Sequence, residues 1–151
     1  MVDITNTNQL STFSMVRDII RSNTTLGAKF SQSSFYEFEP RHKSASFKGF
    51  PYIVISIPDL EELDPFLGDT MRSREFNIEL LLRMDYTAKD NVASYASTLI
   101  STLDAANSTF KENGYNLIKI NSDGSPTPVD LDSKLLIEGR FSLILSGEVK
   151  V

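Results

Sequence analysis

The chain has no cysteine and one histidine, and these two scarcities remove whole classes of chemistry. Without cysteine there is no disulfide framework and no thiolate metal site, which suits a reducing compartment or a robust particle. A Ser-His-Asp or Cys-His site needs an imidazole base beside an oriented nucleophile, and zinc needs three or four nitrogen or sulfur ligands. The lone His42 lies in the basic, serine-rich stretch Arg41-His42-Lys43-Ser44, where an exposed loop residue is expected. Phosphate-cradling motifs of the G-x-x-x-x-G-K-[ST] or G-x-G-x-x-G type do not occur. No apolar run approaches the ~20 residues of a membrane span. The first basic residue is Arg17, so neither signal peptide nor membrane contact is expected, and the reading is a soluble, cytosolic product. Positive charge is also in short supply: the net charge is −5, against a general nucleic-acid binder, which needs a basic surface to neutralise phosphates. An acidic lumen through which DNA only passes is compatible with that charge.

What the chain has in quantity is alternation. Phe76, Ile78, Leu80, Leu82, Met84 and Tyr86 fall on even positions, and Leu135, Ile137, Phe141, Leu143, Leu145, Val149 and Val151 on odd ones. Side chains of a strand point to opposite faces every second residue, so each segment predicts a β-strand with one continuous apolar row. At ~3.3 Å per residue the first reaches about 40 Å, well beyond the usual ~5–6 residues. The opposite rows are polar, except for Leu81, Leu136 and Ile144. These three are candidates for contact with another copy of the protein.

Between and around these strands the pattern changes. Leu10, Phe13, Val16, Ile19 and Ile20 recur at helical spacing up to about Ser22, and residues 23–49 predict extended or irregular structure. Tyr52-Ile53-Val54-Ile55-Ser56-Ile57 predicts a buried strand stopped by Pro58, which cannot donate to a ladder. The acidic segment Asp59–Thr70 then predicts a solvated loop or one helical turn. Val92, Tyr95, Ala96, Leu99, Ile100, Leu103, Ala106 and Phe110 form a helical stripe, opened by Thr87 as a cap and closed at Asn113-Gly114. That helix is expected to span about 24 residues, or ~36 Å. Tyr115–Ile120 predicts a strand, 121–133 a loop with two prolines, and 134–151 the closing strand. The length of 151 residues suits one domain. The order α-β-β-α-β-β predicts an α+β domain: a mainly antiparallel sheet of about four strands with both helices packed on one face.

Catalytic constellations are not evident. Asp123, Asp130 and Asp132 share a loop, but without calcium-loop spacing or a closing glutamate a hydrogen-bonded turn is expected. Acid and base carboxylates need a defined separation and opposed environments, which a sequence does not display. The expectation is a protein that is not an enzyme, with no catalytic, cofactor or metal-binding residues. Arg41, His42, Lys43 and Lys48 with Phe47 and Phe50 have three readings: a small nucleic-acid patch, a solvated loop, or a contact for an acidic neighbour. The neighbour would offer the Asp59–Asp69 segment, with Glu61 and Glu62, from a second copy.

The element order, and the stretch from Phe50-Pro51-Tyr52-Ile53-Val54-Ile55 through Glu75-Phe76-Asn77-Ile78-Glu79-Leu80 to Ser97-Thr98-Leu99-Ile100, resemble the tail-terminator (tail-completion) proteins of long-tailed bacteriophages and related viruses. The resemblance covers most of the chain and rests on element order, size and pattern, since the family has no diagnostic catalytic motif. It implies a virion protein of the tail or neck, assembled in the host cytoplasm. Such a protein forms a homo-oligomeric ring, usually a hexamer, on the last tail-tube ring and binds tail-tube and head-connector proteins. A ring closes by heterologous contacts between two different patches. In that reading the 121–133 loop, with Asp123, Pro126 and Pro128, and the Asp59–Asp69 segment are contact loops. Rival readings are another head–tail joining or tail-tube-like protein, and a monomeric module that adds a peptide strand to a sheet edge.

Overall fold

In the computed structural model the described residues are 9–45, 47–64, 71–122, 126–131 and 133–150. The side chains of Leu10, Glu61, Glu62, Phe76 and Val149, all of Asp123, Asp132 and Val151, and the 65–70 part of the acidic segment lie outside them.

The chain is an α+β fold in which helices α1 (Gln9–Ser22), α2 (Thr24–Lys29), α3 (Lys89–Asp104) and α4 (Asn107–Glu112) accompany a six-stranded sheet. The strands are β1 (Phe35–Tyr36), β2 (Tyr52–Asp64), β3 (Met71–Asp85), β4 (Tyr115–Ser122), β5 (Thr127–Leu131) and β6 (Lys134–Lys150). Their order is β1-β2-β3-β6-β4, with β5 also on β6. All pairs are antiparallel except β1 with β2, so the sheet is mixed and larger than the four strands expected.

The two alternating segments form the spine. β3 and β6 pair without a break from Met71 opposite Lys150 to Asp85 opposite Leu136. A slip of one residue would move every apolar side chain to the wrong face, which holds the register. Ile78, Leu80, Leu82 and Met84 of β3 and Ile137, Phe141, Leu143 and Leu145 of β6 are buried against the helices. Each fully buried leucine contributes ~1.5–3 kcal/mol relative to an exposed one. Phe13, Val16, Ile19 and Ile20 of α1 and Val92, Leu99 and Leu103 of α3 close the same core.

Three expectations about connections are corrected. β2 does not stop at Pro58 but runs to Asp64, so the loop expected from Asp59 is strand as far as 64. The ladder shifts register between Ser56 and Asp59, and a bulge there leaves Pro58 without a donor to supply. The expected loop 121–133 contains β5, whose Pro128 sits opposite Ile137 on a sheet edge, where a missing donor is tolerated. β4 and β5 thus form one interrupted edge along β6, opposite Phe141–Gly147 and Lys134–Glu138 respectively. Ser133, at φ 63, makes the tight return from β5 into β6.

The long helix is divided. α3 ends at Asp104, Ala106 N–H bonds back to Leu103 O in a tightened turn, and α4 restarts at Asn107, packing Phe110 into the core beside β4. Its start differs too: the Asp85 carboxylate, not Thr87, caps the preceding 3-10 turn by accepting from Thr87 N at 3.1 Å. α2 was not expected; Asn23 caps it by accepting from Leu26 N at 3.1 Å.

Candidate functional site

The helices cover one face of the sheet, and the candidate site is the other. The ladders align Tyr52 of β2, Arg83 of β3 and Glu138 of β6 in one row across that face. The next rows are Val54, Leu81, Arg140 and then Ser56, Glu79, Ser142. Beyond them stand Asn77 with Ile144, and Glu75 with Ser146. On the register, Asp59 and Glu61 of β2 lie opposite Asn77 and Glu75.

The first row is not solvated as its alternation predicts. Residues 37–45 and 47–51, between β1 and β2, form a strap held against it by a ring cluster. His42 stacks on Phe47 with centroids 4.7 Å apart, Phe47 meets Phe50 edge-on at 5.3 Å, and both rings lie 5.6 Å from Tyr52. Tyr36 adds an edge-on contact with Tyr52 at 5.6 Å, and its hydroxyl accepts from Lys48 N at 3.2 Å. His42 is therefore no exposed loop residue: its side chain is 7% exposed and its Nε2 lies 2.9 Å from the Tyr52 hydroxyl.

Charge is buried beneath this cluster. Arg83 Nε donates to Glu138 Oε2 at 3.0 Å, and Arg83 Nη1 donates to Glu39 of the strap and to the Tyr52 hydroxyl. Tyr52 in turn donates to Glu39 Oε1 at 3.0 Å. Arg140 Nη2 binds the other oxygen of Glu138 at 3.1 Å and Arg140 Nη1 binds Glu79 at 3.1 Å. Burial pushes the Tyr52 hydroxyl well above its ordinary range, against a smaller opposing pull from Arg83. Burial also disfavours charge on Arg83, but its hydrogen bonds to Tyr52 and Glu39 outweigh that and hold it more firmly protonated. At the edge, Lys134 at 2.9 Å and the Thr87 N–H keep the Asp85 carboxyl below its usual value.

Such an arrangement holds a strap against the sheet. Glu39 and Glu138 direct oxygens to Arg83, and among the described residues no group of three His, Cys, Asp or Glu gathers to hold a metal ion. Among the described residues two grooves lie on the helical side. One of about 780 Å³ separates α1 from α3 and α4, lined in part by Met15, Ile19, Thr98, Thr102 and Thr109. Thr98 and Thr102 donate their hydroxyl protons to carbonyls of their own helix. Another, about 420 Å³, lies between α3 and Pro126, Gly139 and Phe141.

The contact candidates are scattered by the fold. Leu136 is fully covered within the chain, so as it stands it offers no subunit contact, a correction to its expected role. Leu81 and Ile144 are half-buried on the open face. Arg41, Lys43, Pro126 and Pro128 are exposed, the first two on the strap and the prolines at the β4–β5 edge. Glu61 and Glu62 are placed only by the backbone of β2, and Asp123 lies outside the described residues. The basic and aromatic residues of 41–50 diverge: the rings turn to the sheet, leaving none of the exposed stack that single-stranded nucleic acid uses. Sequence reasoning passed over Tyr52, Arg83, Glu39 and Glu138. The available signal was the density of aromatic residues from Tyr36 to Tyr52, which an open loop does not need.

No family model matches the chain. No curated protein matches it either. Among solved structures the chain is similar to one from the virion of a native gene transfer agent particle, at 15% identity and a TM-score of 0.46, over 90% of this chain and 92% of that one.

Proposed function

We propose that this chain is a structural protein of a virion, a tail terminator that forms a ring on the end of the tail tube and joins the tail to the head connector, acting by binding without catalysis. The observation that carries the reading is the two-faced sheet. The unbroken β3–β6 ladder buries one face under helices, while Glu75, Asn77, Glu79, Ser142, Ile144 and Ser146 remain exposed or half-buried on the other. The resemblance in element order and pattern to tail-completion proteins supports that reading. A ring needs two different patches on each subunit, and this sheet has two unlike edges, the acidic β2 and the interrupted β4–β5. A chain of net charge −5 is compatible with a lumen that lets DNA pass without adhering.

The test is the native mass of the purified protein, followed by mixing with tail-tube protein. A terminator forms a discrete ring and stops tube growth. Open-ended polymerisation would assign the chain to the tube instead, and a species monomeric at every concentration would overturn the assembly reading. One observation favours the peptide-binding alternative: among the described residues only Ile53 and Val54 of β2 pair with β1, so most of the outer edge of β2 has no strand partner. Capture of an extended peptide by a monomer would support it.

A further inference from the structure

The strap itself has two faces. His42, Phe47 and Phe50 turn toward Tyr52, while their neighbours Arg41, Lys43 and Lys48 are exposed. Phe38, at the start of the strap, is 79% exposed, the most of any large apolar residue among those described. A ring of that size held in water, beside three cations on a chain of net charge −5, is what a contact surface for an acidic, partly apolar partner requires. The strap also covers only one end of its own sheet face. Glu79 is four residues from Arg83 along β3, or ~13 Å, and Glu75 as far again. Ile144 stands between them, opposite Asn77.

We infer that the outward face of the strap, Phe38 with Arg41, Lys43 and Lys48, docks on the uncovered sheet face of a second copy, around Glu75, Glu79 and Ile144. The occupant is a copy of this chain because the molecule carries both halves of the match. Cations and one exposed ring sit on the strap; on the adjoining face Glu75 and Glu79, the latter shared with Arg140, stand beside a half-buried isoleucine. Two different patches meeting in this way make a heterologous contact, which repeats from copy to copy. The inference rests on the ring reading and names the surfaces that close it.

The test uses charge reversal in both directions on the full chain. One variant carries Arg41→Glu, Lys43→Glu and Lys48→Glu; the other carries Glu75→Lys and Glu79→Lys. Circular dichroism and melting check that each remains folded, which is expected because the strap cations are exposed and the partly exposed Glu79–Arg140 pair contributes little to stability. Each variant alone is expected to associate about a hundredfold or more weakly than the native protein, from like charges brought together. The equimolar mixture is expected to recover assemblies that contain both variants, because the reversed strap of one then meets the reversed face of the other. Phe38→Ser is expected to weaken assembly in high salt, where charge is screened. Variants that assemble as the native protein does, or a mixture that recovers nothing, would overturn the pairing of these surfaces while leaving the ring intact as a reading. A native protein that never associates would overturn both.

Discussion

Arg83→Met tests whether the buried charges hold the strap and sheet together. Arg83 is 6% exposed and joins three elements: Glu138 on β6, Tyr52 on β2 and Glu39 on the strap. Methionine keeps much of the volume and removes the charge, leaving Glu138, itself 6% exposed, with Arg140 alone. Stranding one member of a buried pair costs ~3–5 kcal/mol. Arg140 still binds Glu138, and Glu39 is 42% exposed and screened by water, so the lower end, about 3 kcal/mol, is expected. For a chain of this length that is a fall in Tm of roughly 6–12 °C. Urea unfolding should show a lower midpoint at unchanged slope, since the same surface is exposed on unfolding. Arg83→Met combined with Glu138→Leu should recover part of the loss, because no buried charge is then left unpaired. A single variant within 1 kcal/mol of the native protein, or a double variant less stable than either single one, would refute the reasoning.

Other perturbations address the packing and the titration of the same regions. Leu136→Ala should cost ~2–5 kcal/mol in denaturant unfolding and Ile144→Ala appreciably less, since only Leu136 is fully covered. Gly27→Ala should destabilise by ~1–3 kcal/mol: an added Cβ falls 2.4 Å from the Arg21 carbonyl oxygen, so the α1–α2 corner must open, seen as a lower Tm. Tyr52 is held protonated when folded, so its contribution to stability is fully present below the ordinary tyrosine pKa near 10 and is lost as pH rises above it. Phenolate absorbance should show one tyrosine ionising only as the chain unfolds, a signal that Tyr52→Phe removes. Asp85→Ala should lower stability at neutral pH by about 1 kcal/mol through the lost cap. Because the folded carboxyl is held below its ordinary value by Lys134, that difference should shrink as acid protonates it, as urea midpoints across pH would show.

The spine of the fold was legible because it depends on a local period. Apolar residues at every second position predict strands over 72–86 and 134–151, and the structure has Met71–Asp85 and Lys134–Lys150. The α3 stripe was legible for the same reason, with Val92, Leu99, Leu103 and Phe110 all buried. What failed concerns positions whose meaning depends on a distant partner. Pro58 stops a strand in isolation, yet a bulge against β3 lets β2 continue. Pro128 marks a loop until β6 offers an edge.

The candidate site divides along the same line. Sequence alone determined that one strand face would be apolar and the other polar, that cysteine chemistry is impossible, and that Arg41, Lys43 and Lys48 form a basic stretch in an acidic chain. Only the tertiary structure decided which part of the polar face stays open. The His42 side chain is buried in a ring cluster, and Leu136, Arg83 and Glu138 are covered although their alternation marks them as outward. Period assigns a side chain to a face, but burial depends on what the rest of the chain lays over that face. Here the cover is the strap of residues 37–45 and 47–51, which has no period of its own and is held by Arg83, Glu39 and Tyr52 across gaps of up to 44 residues.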